Sequence, residues 1–247
     1  MTVEVRALTG MDEFHAAAEL LRTVWGSSQV PAEVLRALDF AGGYVAGAFA
    51  DGEMVGASAG FLAPREGRIH LHSHIAGVLA QWQGMHVGSA LKLHQRDWAL
   101  ANDICTIEWT FDPLIRRNAF FNLVKLGAAV VAFEPDFYGA MHDAINVGDP
   151  TDRAVAEWDL TAARNNDDVE DGAVILHAAE DDTPVVTHAR EATLRAWIPD
   201  DAVALRQRDA AAGRAWRLAL RDSFGAAIRD GYRAVSITRD GWYTLTK

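Results

Sequence analysis

The sequence predicts an α/β protein built on a mixed sheet, with an α+β extension at its C-terminal end. Three observations predict it. Residues 68–133 alternate between strand-like and helix-like patterns, which makes a layered α/β architecture. Upstream, two short apolar runs flank Asp51-Gly52, a tight hairpin signal that adds antiparallel strands to the sheet. Beyond residue 163, strand and helix patterns resume with enough apolar content to fold. The expected organisation is a domain over 1–162 and an extension over 163–247 that packs on it or completes it.

The elements follow in order. Residues 3–7 read as an edge or near-edge strand. Turn and cap chemistry at 9–12 opens a helix carrying Phe14, Leu20, Leu21 and Val24, and Trp25, Gly26 and Ser27-Ser28 close it. Pro31 opens a short helix through Leu38, because its missing amide is harmless in a first turn. Strands are expected at 43–50 and 54–62, a turn at 64–67 and a longer strand at 68–79. A helix over 87–100 has Leu91, Leu93, Trp98 and Leu100 as candidate contacts. A strand at 104–110 and a helix at 114–126 stopped by Gly127 come next. Strands at 128–133 and 156–160 bracket an irregular stretch at 136–152. The polar run 162–171 reads as a connector. Strand patterns at 172–178 and 184–196, a helix start at 198–201, a helix over 210–228 with Ala215, Leu218 and Phe224, and closing strands at 232–237 and 242–245 complete the chain.

Composition narrows the function. The formal net charge is −11, with no basic field of the kind a nucleic-acid backbone requires. The single cysteine, Cys105, has no partner for a disulfide or a zinc cluster and reads as a buried free thiol. No apolar run approaches the ~20 residues that cross a bilayer, and the start is not a signal peptide. The expectation is a cytoplasmic protein without nucleic-acid, membrane or metal partners.

The most informative stretch is Val78-Leu79-Ala80-Gln81-Trp82-Gln83-Gly84-Met85-His86-Val87-Gly88-Ser89, between a predicted strand and a predicted helix. The first amides of a helix lack internal acceptors and point outward with the positive end of the dipole, which suits a bound anion. Gly84 and Gly88 let a main chain approach a bulky diphosphate. A tight turn before a packed helix is the plain alternative for two glycines at this spacing.

This stretch resembles the acyl-CoA pyrophosphate loop of the GNAT (Gcn5-related N-acetyltransferase) superfamily. Val78, Gln83, Gly84, Val87 and Gly88 match the pattern, and His86 stands where a middle glycine is usual. The run 118–128 resembles the helix and strand start beside the cofactor thiol, with Leu123 where many members carry a tyrosine that protonates the leaving thiolate. His72-Ser73-His74, residues 90–100, Trp109-Thr110-Phe111-Asp112-Pro113-Leu114 and Phe137-Tyr138-Gly139 resemble a branch of longer GNAT acyltransferases. The resemblance implies the GNAT acyl-CoA N-acyltransferase fold and acetyl-CoA or another acyl-CoA as co-substrate. It also implies a small amine or amino acid as acceptor, and a homodimer is one expected assembly. Its cofactor contacts fall on Gly77, Val78, Gln83, Gly84, Met85, His86, Val87, Gly88, Ser89 and Asn118. Lys92 reads as a solvating residue or a contact for the 3′-phosphate.

An amine must lose its proton to attack a thioester. His70, His72 and His74 share one strand face, with Glu108 on the next strand and Asp112 at its end. The order of base candidates is His74, His72, Glu108, Asp112, each set against a structural role. Tyr138 or a water is the candidate substitute for the missing tyrosine acid, the alternative being a thiolate that leaves unaided. Arg116 and Arg117 are candidates for an acceptor carboxylate or for the carboxylate of a diacid acyl chain, and Trp109 for a pocket wall. A non-catalytic acyl-CoA-binding module is the alternative, favoured by Leu123 and His86.

Overall fold

The computed structural model describes residues 2–26, 30–65, 67–139, 150–162 and 171–247. Most of the expected connector at 162–171 and of the irregular stretch at 136–152 lies outside the described residues, as do Ser27 and Ser28. The chain forms two compact units, one of Met1–Trp109 with Asp159–Thr161, the other of Thr110–Trp158 with Ala162–Lys247.

In the first unit, β1 (Val3–Ala7), β2 (Tyr44–Ala50), β3 (Glu53–Arg65), β4 (Arg68–Val78) and β5 (Thr106–Phe111) are neighbours in that order. All pairs are antiparallel except β4 with β5. The expected edge position of β1 is the observed one. Asp51 and Gly52 both have positive φ, 50° and 84°, as a two-residue hairpin between right-twisted strands requires. The expected turn at 64–67 is shorter in the structure, because β3 runs on through Pro64 to Arg65. Proline fits there because β2 pairs with β3 only as far as Gly60, so its missing N–H deprives no β2 partner.

Both faces of β2 are buried. Val45 and Phe49 join Phe14, Leu20 and Leu21 of α1 (Gly10–Trp25) and Leu35 of α2 (Ala32–Phe40). Ala48 and Ala50 join Val87 and Leu91 of α3 (Val87–Ala101). Gly26, with φ 73°, ends α1 by donating to the Arg22 carbonyl. In α3 the inward face differs from expectation. Leu93 is exposed, while Leu91, Lys92, Gln95 and Ala99 are buried. Cys105 is exposed, not buried, because it lies just before β5 while its neighbour Ile104 takes the inward position.

In the second unit, α4 (Arg116–Phe120) continues as a π-helical turn over Phe121–Leu126, and Gly127 at φ 79° closes it. The strands are β6 (Ala129–Glu134), β7 (Arg153–Asp159), β8 (Ala173–Ala178), β9 (Pro184–Val186), β10 (Thr193–Trp197), β11 (Arg233–Ile237) and β12 (Trp242–Thr246). Their order is β7-β6-β11-β12-β10-β8-β9. The tail and residues 110–158 therefore share one sheet, with β11 beside β6. The single strand expected at 184–196 is two, because β9 and β10 lie on opposite sides of β8. Asp201 caps α5 (Ala202–Arg208) and Asp209 caps α6 (Ala210–Leu220). The expected helix over 210–228 is interrupted by a π turn at Arg221–Gly225 before α7 (Ala226–Arg229). Its buried stripe is Gly213, Trp216, Arg217 and Leu220, so Ala215 and Leu218 face solvent while Phe224 is buried.

Candidate acyl-CoA site

The loop between β4 and α3 starts with a single 3-10 turn, Ala80–Trp82. The Gln83 side chain folds back to donate to the Val78 carbonyl at 3.3 Å, closing the loop on the strand end. The Gln83 and Met85 amides donate to Ala80 and Trp82. Among the described residues, the amides of Gly84, His86, Val87, Gly88 and Ser89 donate to no protein acceptor. They cluster at the first turn of a 15-residue helix, where the dipole adds positive potential. Gly84 has φ 81°, and a Cβ there or at Gly88 meets nothing within 4 Å. The loop thus presents idle donors beside open space.

His86 takes φ 63°, the left-handed conformation that glycine adopts freely. Met85 and His86 are exposed, whereas Val87 is buried against the sheet. There Gly56 lets α3 approach, since a Cβ at Gly56 would lie 3.2 Å from Val87 and Leu91 atoms. Gly77 serves packing on the other side, where a Cβ would lie 3.1 Å from Leu21 of α1.

On β4, the register with β5 pairs Leu71 with Ile107 and His72 with Glu108. The register with β3 continues to Val78, past the last of these pairs. Around this point the first unit gathers His70, His72, His74, Phe61, Arg65 and Glu108. Phe61 stacks on His72 at 4.8 Å between centroids and tilts against His74 at 5.9 Å. Burial pushes the His72 pKa down to about 4, helped by the neighbouring His74, His70, Lys92 and Arg65. Burial also lowers the pKa of His74, which is the more exposed residue. Glu108 is buried and accepts from Arg65 Nη1 at 2.6 Å, with His70 Nε2 at 3.5 Å. Phe61 and Arg65 had no sequence signal beyond the register that sets them opposite β4.

Trp109 is buried beneath Lys92, whose Nζ is 3.9 Å from the ring centroid. Lys92 is therefore neither a solvating residue nor exposed toward a 3′-phosphate.

The other candidates belong to the second unit. Asp112 forms a bidentate pair with Arg217 at 2.6 and 2.7 Å and accepts from the Leu114 amide. Burial raises its pKa, but these hydrogen bonds and the Arg217 charge outweigh that, and the carboxyl stays below its ordinary value. Its lone pairs are committed, which takes it out of the list of bases. Arg116 is also committed. It donates to Asp200 at 2.9 Å and to the Ile198 carbonyl at 2.6 Å, packed against Gly241. It clamps the start of α5 and is not held out for a substrate carboxylate. Arg117 and Asn118 are exposed. The Tyr138 hydroxyl lies 3.1 Å from Thr110 Oγ1, and its amide donates to Thr151 Oγ1. Leu123 is buried and apolar. Among the described residues no group of His, Cys, Asp and Glu is arranged to hold a metal ion, and no helix is long and apolar enough to cross a membrane.

The fold has clear counterparts. The chain is similar to yncA from Salmonella typhimurium, solved with its cofactor acetyl-CoA, at TM-score 0.53 and 17% identity over 66% of this chain and 98% of that one. It is similar to a chain of the NatC complex bound to Gag peptide and CoA, at TM-score 0.53 and 15% identity over 65% of this chain and 100% of that one. It is also similar to an acetyltransferase of the GNAT family from Streptococcus pneumoniae, at TM-score 0.51 and 14% identity over 63% and 98%. No family model and no curated protein matches the sequence. These likenesses show the fold: the chain has the mixed α/β fold of GNAT acetyltransferases. The remainder of the chain has no counterpart in these structures.

Proposed function

We propose that the chain is an acyl-CoA-dependent N-acyltransferase acting on a small amine or amino acid. One observation carries this reading: the idle amides of Gly84, His86, Val87, Gly88 and Ser89 at the start of α3. An acyl-CoA diphosphate supplies the acceptors they lack, and Gly84 and Gly88 leave room for it. The loop then directs the pantetheine arm back along β4 toward His72.

In this reading β4 main-chain donors face the thioester oxygen, and one such donor is worth ~3 kcal/mol in the transition state. The amine nitrogen bonds to the acyl carbon, the carbon–sulfur bond breaks, and the thiolate leaves. His72 takes the amine proton. Its low pKa makes it a weak base, but one that stays unprotonated at any pH where free amine is present. Glu108 and Arg65 fix the strand face on which it stands. The co-substrate is acetyl-CoA or another acyl-CoA, and no metal enters the scheme.

A binding module without turnover is the second reading, favoured by the buried, apolar Leu123. Thiol release from acetyl-CoA and other acyl-CoAs with a panel of amines and amino acids separates the two, alongside calorimetric binding of coenzyme A. Binding with release supports the enzyme. Binding alone supports the module, and no binding overturns both. His72→Gln should lower kcat while leaving the KM for acyl-CoA unchanged.

A further inference from the structure

Among the described residues, neither ring nitrogen of His72 has a hydrogen-bond partner, and neither is sealed from solvent. A histidine that moves protons is ordinarily oriented by a hydrogen bond to its second ring nitrogen. His72 lacks that bond. The neighbouring strand supplies a ring in its place. Phe61 on β3 is the direct cross-strand partner of His72 on β4. Its ring stacks on the imidazole, with 4.8 Å between centroids and 27° between planes. The stack covers a face of the imidazole and leaves its edge, where the nitrogens lie, open.

The three histidines of β4 are held differently. His70 is buried, with Nε2 3.5 Å from Glu108. A register shift between β3 and β4 leaves His74 without an opposite residue, and its ring tilts against Phe61 at 5.9 Å and against His72 at 6.3 Å. Of the three, His72 alone lies near-parallel to the Phe61 ring. The titratable and charged groups around it are His70 and His74 on its own strand, Arg65 on β3, Lys92 on α3 and Glu108 opposite it on β5, where Glu108 is paired with Arg65. None of them hydrogen-bonds its imidazole. Phe61 stands one residue past Gly60, where β2 stops, and is 37% exposed. Cross-strand partners share a sheet face, so its ring and the open edge of His72 border one surface.

We infer that Phe61 is a positioning residue of the acceptor site, whose stacked ring fixes the His72 imidazole edge-on to the incoming amine in place of an orienting hydrogen bond. This deepens the acyltransferase reading, in which His72 takes the amine proton, and rests on it. Phe61 touches no reacting atom in this account and acts through His72. The ring does two things. It removes rotational freedom from an imidazole that no hydrogen bond restrains, and a base displaced by about 1 Å can lose on the order of 100-fold in rate. It also keeps water from a ring face, part of the burial that pushes the His72 pKa down to about 4.

The test begins without any ligand. Histidine resonances are followed against pH by NMR, with His72 assigned by its loss in His72→Gln. In Phe61→Ala the His72 titration should climb from about 4 toward the ordinary 6.5. Phe61→Tyr keeps the flat ring and should titrate like the wild type. Turnover of acetyl-CoA with the amine that gives the fastest thiol release then reads the consequence. Phe61→Ala should lower kcat by about tenfold or more, with the KM for acetyl-CoA unchanged, and Phe61→Tyr should recover most of that loss. In a His72→Gln background, Phe61→Ala should cost nothing further, whereas a general loss of packing would cost as much there as in the wild type. A His72 titration indifferent to removal of the ring, or a loss of kcat equally large without His72, overturns the inference alone. A wild type that releases no thiol, or a His72→Gln variant with wild-type kcat, overturns the reading beneath it.

Discussion

Replacing Gly88 by alanine should firm the fold while loosening the grip on coenzyme A. Gly88 is the second residue of α3, and a Cβ built there meets no atom within 4 Å. Nothing in the protein opposes the methyl group. Glycine in a helix costs about 0.5–1 kcal/mol relative to alanine, chiefly through the freedom it regains on unfolding. With an unfolding entropy of about 2.1 cal/mol/K per residue, a chain of this length should gain about 1–2 °C in Tm. The same methyl group occupies the space through which a diphosphate oxygen reaches the amides around it. Losing one charge-assisted hydrogen bond costs about 1.5–3 kcal/mol, or roughly 10- to 100-fold in Kd. Thermal denaturation and calorimetric titration with coenzyme A measure the two effects on one preparation. A stabilised variant with unchanged Kd would show that the diphosphate does not approach past Gly88; Gly84→Asp, which sets a carboxylate beside the diphosphate, should abolish binding, and unchanged affinity there would refute the loop assignment.

Three further outcomes follow from the same structure. His86→Gly should raise stability by up to about 1 kcal/mol, because it relieves a left-handed backbone at φ 63°; a loss in urea denaturation would show that the imidazole makes a contact worth more. Lys92→Met should be more stable than the wild type at pH 7 and below, with the gap closing as pH rises. The folded lysine titrates at about 7 instead of 10.5, so across that window the unfolded chain binds the extra proton and wild-type stability climbs with pH; a gap constant from pH 6.5 to 10 would contradict this. Asp112→Ala should cost about 3–5 kcal/mol by stranding the buried Arg217 guanidinium, and a soluble variant with near-native denaturation midpoints would argue against a structural pair.

Much of the fold was legible from local signals. Asp51-Gly52, Gly26 and Gly127 marked turns and helix ends because each needs positive φ, a property written in one residue. The loop at 83–88 was legible for the same reason. The misreadings arose where side-chain chemistry met an unexpected environment. Lys92 and Leu93 are adjacent, and composition alone assigns the leucine inward, yet α3 is rotated so that the lysine is buried. Arg116 and Asp112 looked available because their partners, Asp200 and Arg217, lie 84 and 105 residues away in sequence. Long-range ion pairs leave no local pattern. The π turns at Phe121–Leu126 and Arg221–Gly225 were equally hidden, and the second shifts the phase of α7 that follows it.

At the β4–α3 loop the surface offered to the proposed acyl-CoA is peptide backbone. Every residue except proline carries the same amide, so exchanges at Met85, His86 or Ser89 leave the donors in place as long as the chain keeps its path. Such a grip can outlast the side-chain spelling by which it is ordinarily recognised. A histidine can stand in the middle of the loop, and the shape of the loop remains a better guide to its ligand than the letters that compose it.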